Sequence, residues 1–160
     1  MKTLLLETKT CMNHILLRKT FDSFAFIEGE IITANKYNID GKLHPNYFDQ
    51  KPDRIYSSWY EIKEYCLSII KGKRTPLSFH LVFALSKEQI IDFIKGSNLN
   101  HREEEISGLY FNFRFDGTKL YLVTGTTLTN FTLDKTIEKS FDDYTCRFFK
   151  QQQISCEILS

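Results

Sequence analysis

The sequence has no long hydrophobic run, no dominant charge and no paired-cysteine motif, and it is sparing with glycine and proline. No apolar stretch approaches the roughly 20 residues that span a bilayer, so no membrane span is expected. The Leu4-Leu5-Leu6 run is closed by Glu7, too short for the apolar segment of a secretion signal, and the expected compartment is the cytoplasm. Lys and Arg number 21 against 20 Asp and Glu, a net charge of +1. That balance argues against nucleic-acid binding driven by overall charge, but it leaves room for a local basic patch. Seven Gly and three Pro leave no segment with a linker's composition, and no exact internal repeat is visible. One domain is therefore expected over residues 1–160. A chain of this length buries roughly 70% of the surface its unfolded form exposes.

Other absences exclude chemistry. Cys11, Cys66, Cys146 and Cys156 form no CxxC, and with the histidines they make up no zinc-finger-type set of four ligands. In a reducing compartment such thiols pack as small hydrophobes. His14, His44, His80 and His101 are equally scattered. There is no G-x-S-x-G, P-loop, H-E-x-x-H or G-x-G-x-x-G. No metal or cofactor is expected. The acidic runs Glu103-Glu104-Glu105 and Asp142-Asp143 lack the apolar surround that raises a carboxyl pKa, and read as solvated charge. An enzyme survives only as an alternative, with His80 meeting a thiol such as Cys66, or an acid, across the fold.

What is abundant is aromatic: fourteen Phe, eight Tyr and one Trp. Their placement gives the elements. The first ten residues read as a short strand or loose arm. Asn13 to Asn35, with Phe24, Phe26, Ile31 and Ile32 around Gly29, reads as a strand pair. Asn38 to Arg54 holds Asp40-Gly41, Pro45 and Pro52 without periodicity and reads as a long surface loop.

Ser58 and Glu61 have the capping-box spacing, and Trp59, Ile62, Cys66, Ile69 and Ile70 form one apolar stripe. The spacing predicts a helix from Ser58 to Lys71, stopped by Gly72. Leu77, Phe79, Leu81, Phe83 and Leu85 then alternate as a strand with one buried face. Ser86 and Gln89 repeat the cap signature for a second helix ending near Gly96.

Leu109, Phe111, Phe113 and Phe115 alternate up to an Asp116-Gly117 turn, where glycine accepts positive φ cheaply. Leu120 and Leu122 return, and Phe131 and Leu133 suggest a third strand after Gly125. Asp134 reads as the N-cap of a third helix with Ile137, Phe141, Tyr144 and Phe148 inward and Asp142 to water. Ile154, Cys156 and Ile158 read as a final strand. The fold class is α+β: a mostly antiparallel sheet with about three helices on one face.

The most suggestive polar cluster is Lys71-Gly72-Lys73-Arg74-Thr75, between a helix and a core strand. Lys71, Lys73 and Arg74 put three positive charges on one turn, and Thr75 adds a hydroxyl donor for a phosphate. The plainer reading is that cations near a helix C-terminus favour its dipole. Arg114 and Lys119 flank the Asp116-Gly117 turn as further candidates, or as ordinary exposed charges. Tyr110 and Tyr121 fall on the same outer face, where they can stack a base or a peptide side chain, or simply pack across strands.

Two resemblances follow. Through Ile70-Lys71-Gly72-Lys73-Arg74-Thr75-Pro76-Leu77, Phe113-Arg114-Phe115-Asp116-Gly117 and Phe131-Thr132-Leu133-Asp134-Lys135, the chain resembles an uncharacterised family of small proteins from anaerobic Gram-positive bacteria, a domain of unknown function. From Leu81 to Leu133 the order of elements is similar to the βαβββ unit of bacterial sliding clamps, which implies a clamp-like fold. The combined expectation is a non-enzymatic binding module whose partner, a protein or a nucleic-acid backbone, meets Lys71, Lys73 and Arg74. A homodimer through the outer sheet face or the last strand is a further alternative.

Overall fold

The inner face of the sheet explains most of the architecture. The computed structural model describes residues 1–160. Phe111, Phe113 and Phe115 of β5 (Ile106–Phe115) point to one side, level with Phe79, Leu81 and Phe83 of β4 (Ser78–Ala84) and Leu120 and Leu122 of β6 (Leu120–Leu128). Leu4 and Leu6 of β1 (Thr3–Leu6) and Phe26 and Ile31 of β2 (Ala25–Ile32) extend that apolar surface. With β3 (Lys36–Asp40) and β7 (Cys156–Ile158), the strands form one antiparallel sheet in the order β3-β2-β4-β5-β6-β1-β7.

Helices α1 (Thr8–Leu16), α2 (Trp59–Ile70), α3 (Lys87–Gly96) and α4 (Thr136–Gln151) all send residues into the same 28-residue core. Cys11 and Ile15 come from α1, Trp59 and Cys66 from α2, Ile90 and Phe93 from α3, and Ile137, Phe141 and Phe149 from α4. Phe48 and Phe131 apart, every phenylalanine is buried or packed against that core. The outer face of the sheet has no helix on it.

The α+β class, the antiparallel sheet, the caps of α2 and α3 and the Asp116-Gly117 turn agree with the sequence. At α2, Glu61 accepts from the Ser58 backbone N–H at 2.9 Å; the Ser58 hydroxyl donates to the same carboxylate at 3.1 Å. Gly117 takes φ 98°.

Five expectations need correction. Residues 8–16 are helical rather than arm or strand, which brings the helix count to four; Glu7 supplies the cap by accepting from Thr10 N–H at 2.6 Å. Of the strand pair expected over Asn13 to Asn35 only β2 forms there; its partner β3 starts at Lys36 and runs into the stretch from Asn38 that reads as loop. Residues 120–128 form one continuous strand through Gly125, and no strand forms at Phe131 and Leu133, which are 91% and 83% exposed. Thr129 N–H to Glu105 O, at 3.0 Å, is the last backbone hydrogen bond before α4, so residues 131 and 133 have no strand to pair with. Two strands, β5 and β6, therefore stand between α3 and α4 where the sequence reading expects three. On α4, Asp142 points to the sheet, where it accepts from the Thr124 hydroxyl at 2.7 Å. Finally, β7 begins at Cys156; Ile154 is buried before it, while Cys156 and Ile158 are exposed.

Candidate functional site

The basic turn begins where α2 ends. Lys71 is extended (φ −72°, ψ 122°) and its N–H donates to Leu67 O at 2.8 Å, so the helix stops at Lys71. Gly117 is the only glycine with positive φ, so Gly72 does not act as a left-handed stop, contrary to the sequence reading. Lys71, Lys73, Arg74 and Thr75 are all exposed. Pro76 is buried behind them, and Leu77 N–H donates to Ile32 O at 2.8 Å, so the turn is tethered to β2 as β4 starts.

The Asp116–Lys119 turn stands beside it. Asp116 Oδ1 accepts from Thr118 N–H at 2.9 Å and from Lys119 N–H at 2.7 Å, which holds its carboxyl below the usual carboxylate range. The carboxylate is thereby committed to its own backbone. A Cβ on Gly117 would lie 2.8 Å from Leu77 O, which shows how closely this turn approaches the start of β4. The structure therefore gathers the sequence candidates at one end of the sheet: Lys71, Lys73, Arg74 and Thr75 on one turn, Lys119 on the next, and Arg114 two residues inside it on β5. None of the five cations is within 4.0 Å of a carboxylate, whereas Arg54 pairs with Glu61 and Lys63 with Asp22.

From this rim the open face runs up β4, β5 and β6. Strand register sets Glu30, His80, Arg114 and Tyr121 side by side in one row. The next row holds Glu28, Val82, Asn112 and Val123, and the third Ala84, Tyr110 and Gly125. Asn112 Nδ2 donates to Val123 O at 3.0 Å. The Tyr110 ring lies along the sheet over Gly108, where a Cβ would come within 2.6 Å of its Cε2. Burial raises the Tyr110 pKa. Acidic residues belong to the β2 side of this face, and the tyrosines and Arg114 to the β5–β6 side.

His80 is on this outer face and Cys66 is in the core beneath the inner one, so the sheet separates the histidine from that thiol. His80 Nε2 is enclosed and makes no hydrogen bond. Burial lowers the His80 pKa, and the Arg114 charge lowers it further. Neutral imidazole is the favoured form. Burial pushes the Cys66 thiol up to about 12 and the Cys11 thiol further still. Cys146 is half-buried and Cys156 exposed, unlike the buried thiols expected.

No group of three or more His, Cys, Asp or Glu side chains is placed to hold a metal ion. Two surface clefts, about 240 Å³ between α3 and α4 and about 170 Å³ beside His101 and Phe131, fall short of the roughly 300–1,000 Å³ of small-molecule sites. No helix is long and apolar enough to cross a membrane.

Sequence reasoning missed Glu28, Glu30 and Asn112 as members of this face. A bulge between Phe26 and Glu28 breaks the alternation that would have revealed the two glutamates. Asn112 lay in plain view between Phe111 and Phe113, and its alternation was the available signal.

Fold and site together define an α+β protein with one helix-covered sheet face, one open face and a basic rim. The chain belongs to the family of unknown function DUF5721, which matches residues 14–157. No curated protein and no solved structure matches it.

Proposed function

We propose that this chain is a non-catalytic binding module that holds an anionic partner, a nucleic-acid backbone or an acidic protein surface, on its basic rim. One observation carries the reading: Lys71, Lys73, Arg74, Arg114 and Lys119 gather at one end of the sheet with no carboxylate within ion-pair distance. In a protein of net charge +1, unneutralised cations concentrated at one end create a local positive potential that the whole-chain balance conceals. The Arg114 and Lys119 guanidinium and ammonium groups differ in what they offer, a planar fork and a point charge, and both suit oxyanions.

The backbone beneath these side chains is fixed at Leu77 and Asp116, so binding has little loop ordering to offset. The small clefts favour recognition by surface over recognition by pocket. Encirclement of a duplex, the finer form implied by the sliding-clamp resemblance, has less behind it, because α3 sets Glu88 and Asp92 beside Lys87 and Lys95.

Heparin, a generic polyanion, is the probe. Wild-type protein is expected to be retained on immobilised heparin and to elute at higher salt than the K71E/K73E/R74E variant, with both melting at the same temperature. All three side chains are exposed, and substitutions of that kind typically change stability by within about 0.5 kcal/mol each. Equal elution of folded variant and wild type would remove the rim from the account.

A further inference from the structure

The rim is continuous with a surface of different chemistry. Tyr121 and Arg114 stand directly opposite each other on β6 and β5, with His80 next in the row on β4. Four residues further along β5, roughly 14 Å at strand rise, Tyr110 lies along the sheet. Its cross-strand neighbour is Gly125, so no side chain stands beside it on β6. Between the two tyrosines, Asn112 presents an amide with acceptor and donor capacity beyond its bond to Val123. No helix covers these residues, and Tyr121, Asn112 and Tyr110 are half-buried in the sheet surface rather than extended into solvent. Their aromatic and amide groups are therefore held in place before any ligand arrives.

Charge sets where a ligand can run. Lys71, Lys73, Arg74 and Lys119 form the entrance, and Arg114 carries positive charge onto the face itself. Glu28 and Glu30 lie on the β2 side, with Asp40 beside Glu28 on β3. On that flank Lys36 pairs with Glu30 at 3.4 Å, so Glu28 and Asp40 carry its negative charge and make it the less favourable side for a polyanion drawn in at the rim, which leaves the track over β4, β5 and β6. A polyanion that also profits from flat aromatic surfaces and an amide is a nucleic acid with its bases exposed.

We propose that the open face from β4 to β6 binds single-stranded nucleic acid, with bases stacked on Tyr121 and Tyr110 and phosphates held by Lys71, Lys73, Arg74 and Lys119. This rests on the rim reading above and adds to it the ligand class and the aromatic track. A base-paired duplex buries the base faces that the tyrosines would stack, and therefore gains only the rim.

The test is fluorescence anisotropy on the full chain with labelled oligouridine and oligothymidine of about 20 nucleotides, against a duplex of the same length. Salt is varied from about 50 to 200 mM. Both single strands are expected to bind more tightly than the duplex; a preference between them tells RNA from DNA. Tyr121→Ala is expected to weaken single-strand binding about tenfold and leave the salt slope unchanged, whereas Tyr121→Phe keeps the affinity. K71E/K73E/R74E is expected to flatten the salt slope by about the number of phosphate contacts removed.

Duplex binding as strong as single-strand binding overturns the proposal. So does a folded Tyr121→Ala variant with wild-type affinity, or heparin retention with no oligonucleotide binding, which points instead to an acidic protein surface. In each of those cases the rim reading stands if K71E/K73E/R74E still lowers heparin retention. If that variant keeps wild-type retention, rim and face fall together.

Discussion

Phe111→Ala is expected to destabilise the protein by about 3–5 kcal/mol, enough to remove a large part of the roughly 5–15 kcal/mol that holds a domain folded. Phe111 is fully buried at the middle of β5. Its ring lies 5.5 Å from Phe24, 5.8 Å from Phe141 and from Phe148, and 5.6 Å from Phe149. The loop before β2, the inner sheet face and α4 therefore meet at one side chain. Truncation leaves a void that none of these elements can fill alone, because each is held by other packing, such as Phe24 against Phe21 and Phe141 against Phe93. Urea denaturation followed by circular dichroism should show the midpoint falling, and the melting temperature should drop by about 10 °C or more. A change of less than about 1 kcal/mol would mean that α4 does not dock on β5 as described.

Gly41→Ala is expected to cost about 3 kcal/mol or more by the opposite mechanism, overcrowding. Gly41 is buried just after β3, with its N–H on Ile27 O at 2.9 Å and its carbonyl accepting from Ser57 N–H at 2.9 Å. A Cβ there would overlap the Phe26 carbonyl oxygen, lie 2.8 Å from the carbonyl carbon and 2.9 Å from the ring. The obstacle is mainly backbone, so no rotamer change relieves it. Either β2 or the 55–58 segment must move, and Phe26 is packed at 5.4 Å on Trp59. Gly96→Ala is the control: nothing lies within 4 Å of a Cβ there, and alanine favours a helix, so its stability should hold or rise. Thermal melts of the two variants side by side measure the contrast. An unperturbed Gly41→Ala protein would show that segments 41–43 and 55–58 do not close against β2.

These two positions also show where the sequence is readable. The inward side of β5 announces itself, since Leu109, Phe111, Phe113 and Phe115 alternate with polar residues because one face is core and the other is open. Helices α2 and α3 announce their starts through Ser58 with Glu61 and Ser86 with Gln89. Gly41 does not announce itself. Asp40-Gly41 resembles a surface turn, and its need for glycine comes from Phe26, fifteen positions away, rather than from its own φ. Helix α1 is hidden for a related reason: it is nine residues long, and its cap is Glu7 rather than Ser, Thr, Asp or Asn. Phe131 and Leu133 mislead in the other direction, because alternation in two residues cannot reveal that no partner strand lies beside them.

The candidate site divides in the same way. Lys71, Lys73 and Arg74 are adjacent in sequence, and their charge is legible without a structure. Their neighbourhood with Lys119 and Arg114 is not, because it depends on the pairing of Phe79 with Phe115 and on the approach of Gly117 to Leu77. Local charge can be read one residue at a time; a surface that spans α2, β4, β5 and β6 exists only once the register is set.

The most direct measurement is a backbone amide NMR titration of the full chain with the single-stranded oligonucleotide, the shifts assigned residue by residue. The account predicts changes at residues 71–75, at Arg114 to Tyr121 and at Tyr110, with α3, α4 and the Phe131–Leu133 loop unmoved. Changes concentrated on those helices or that loop, or no changes at all, would contradict it.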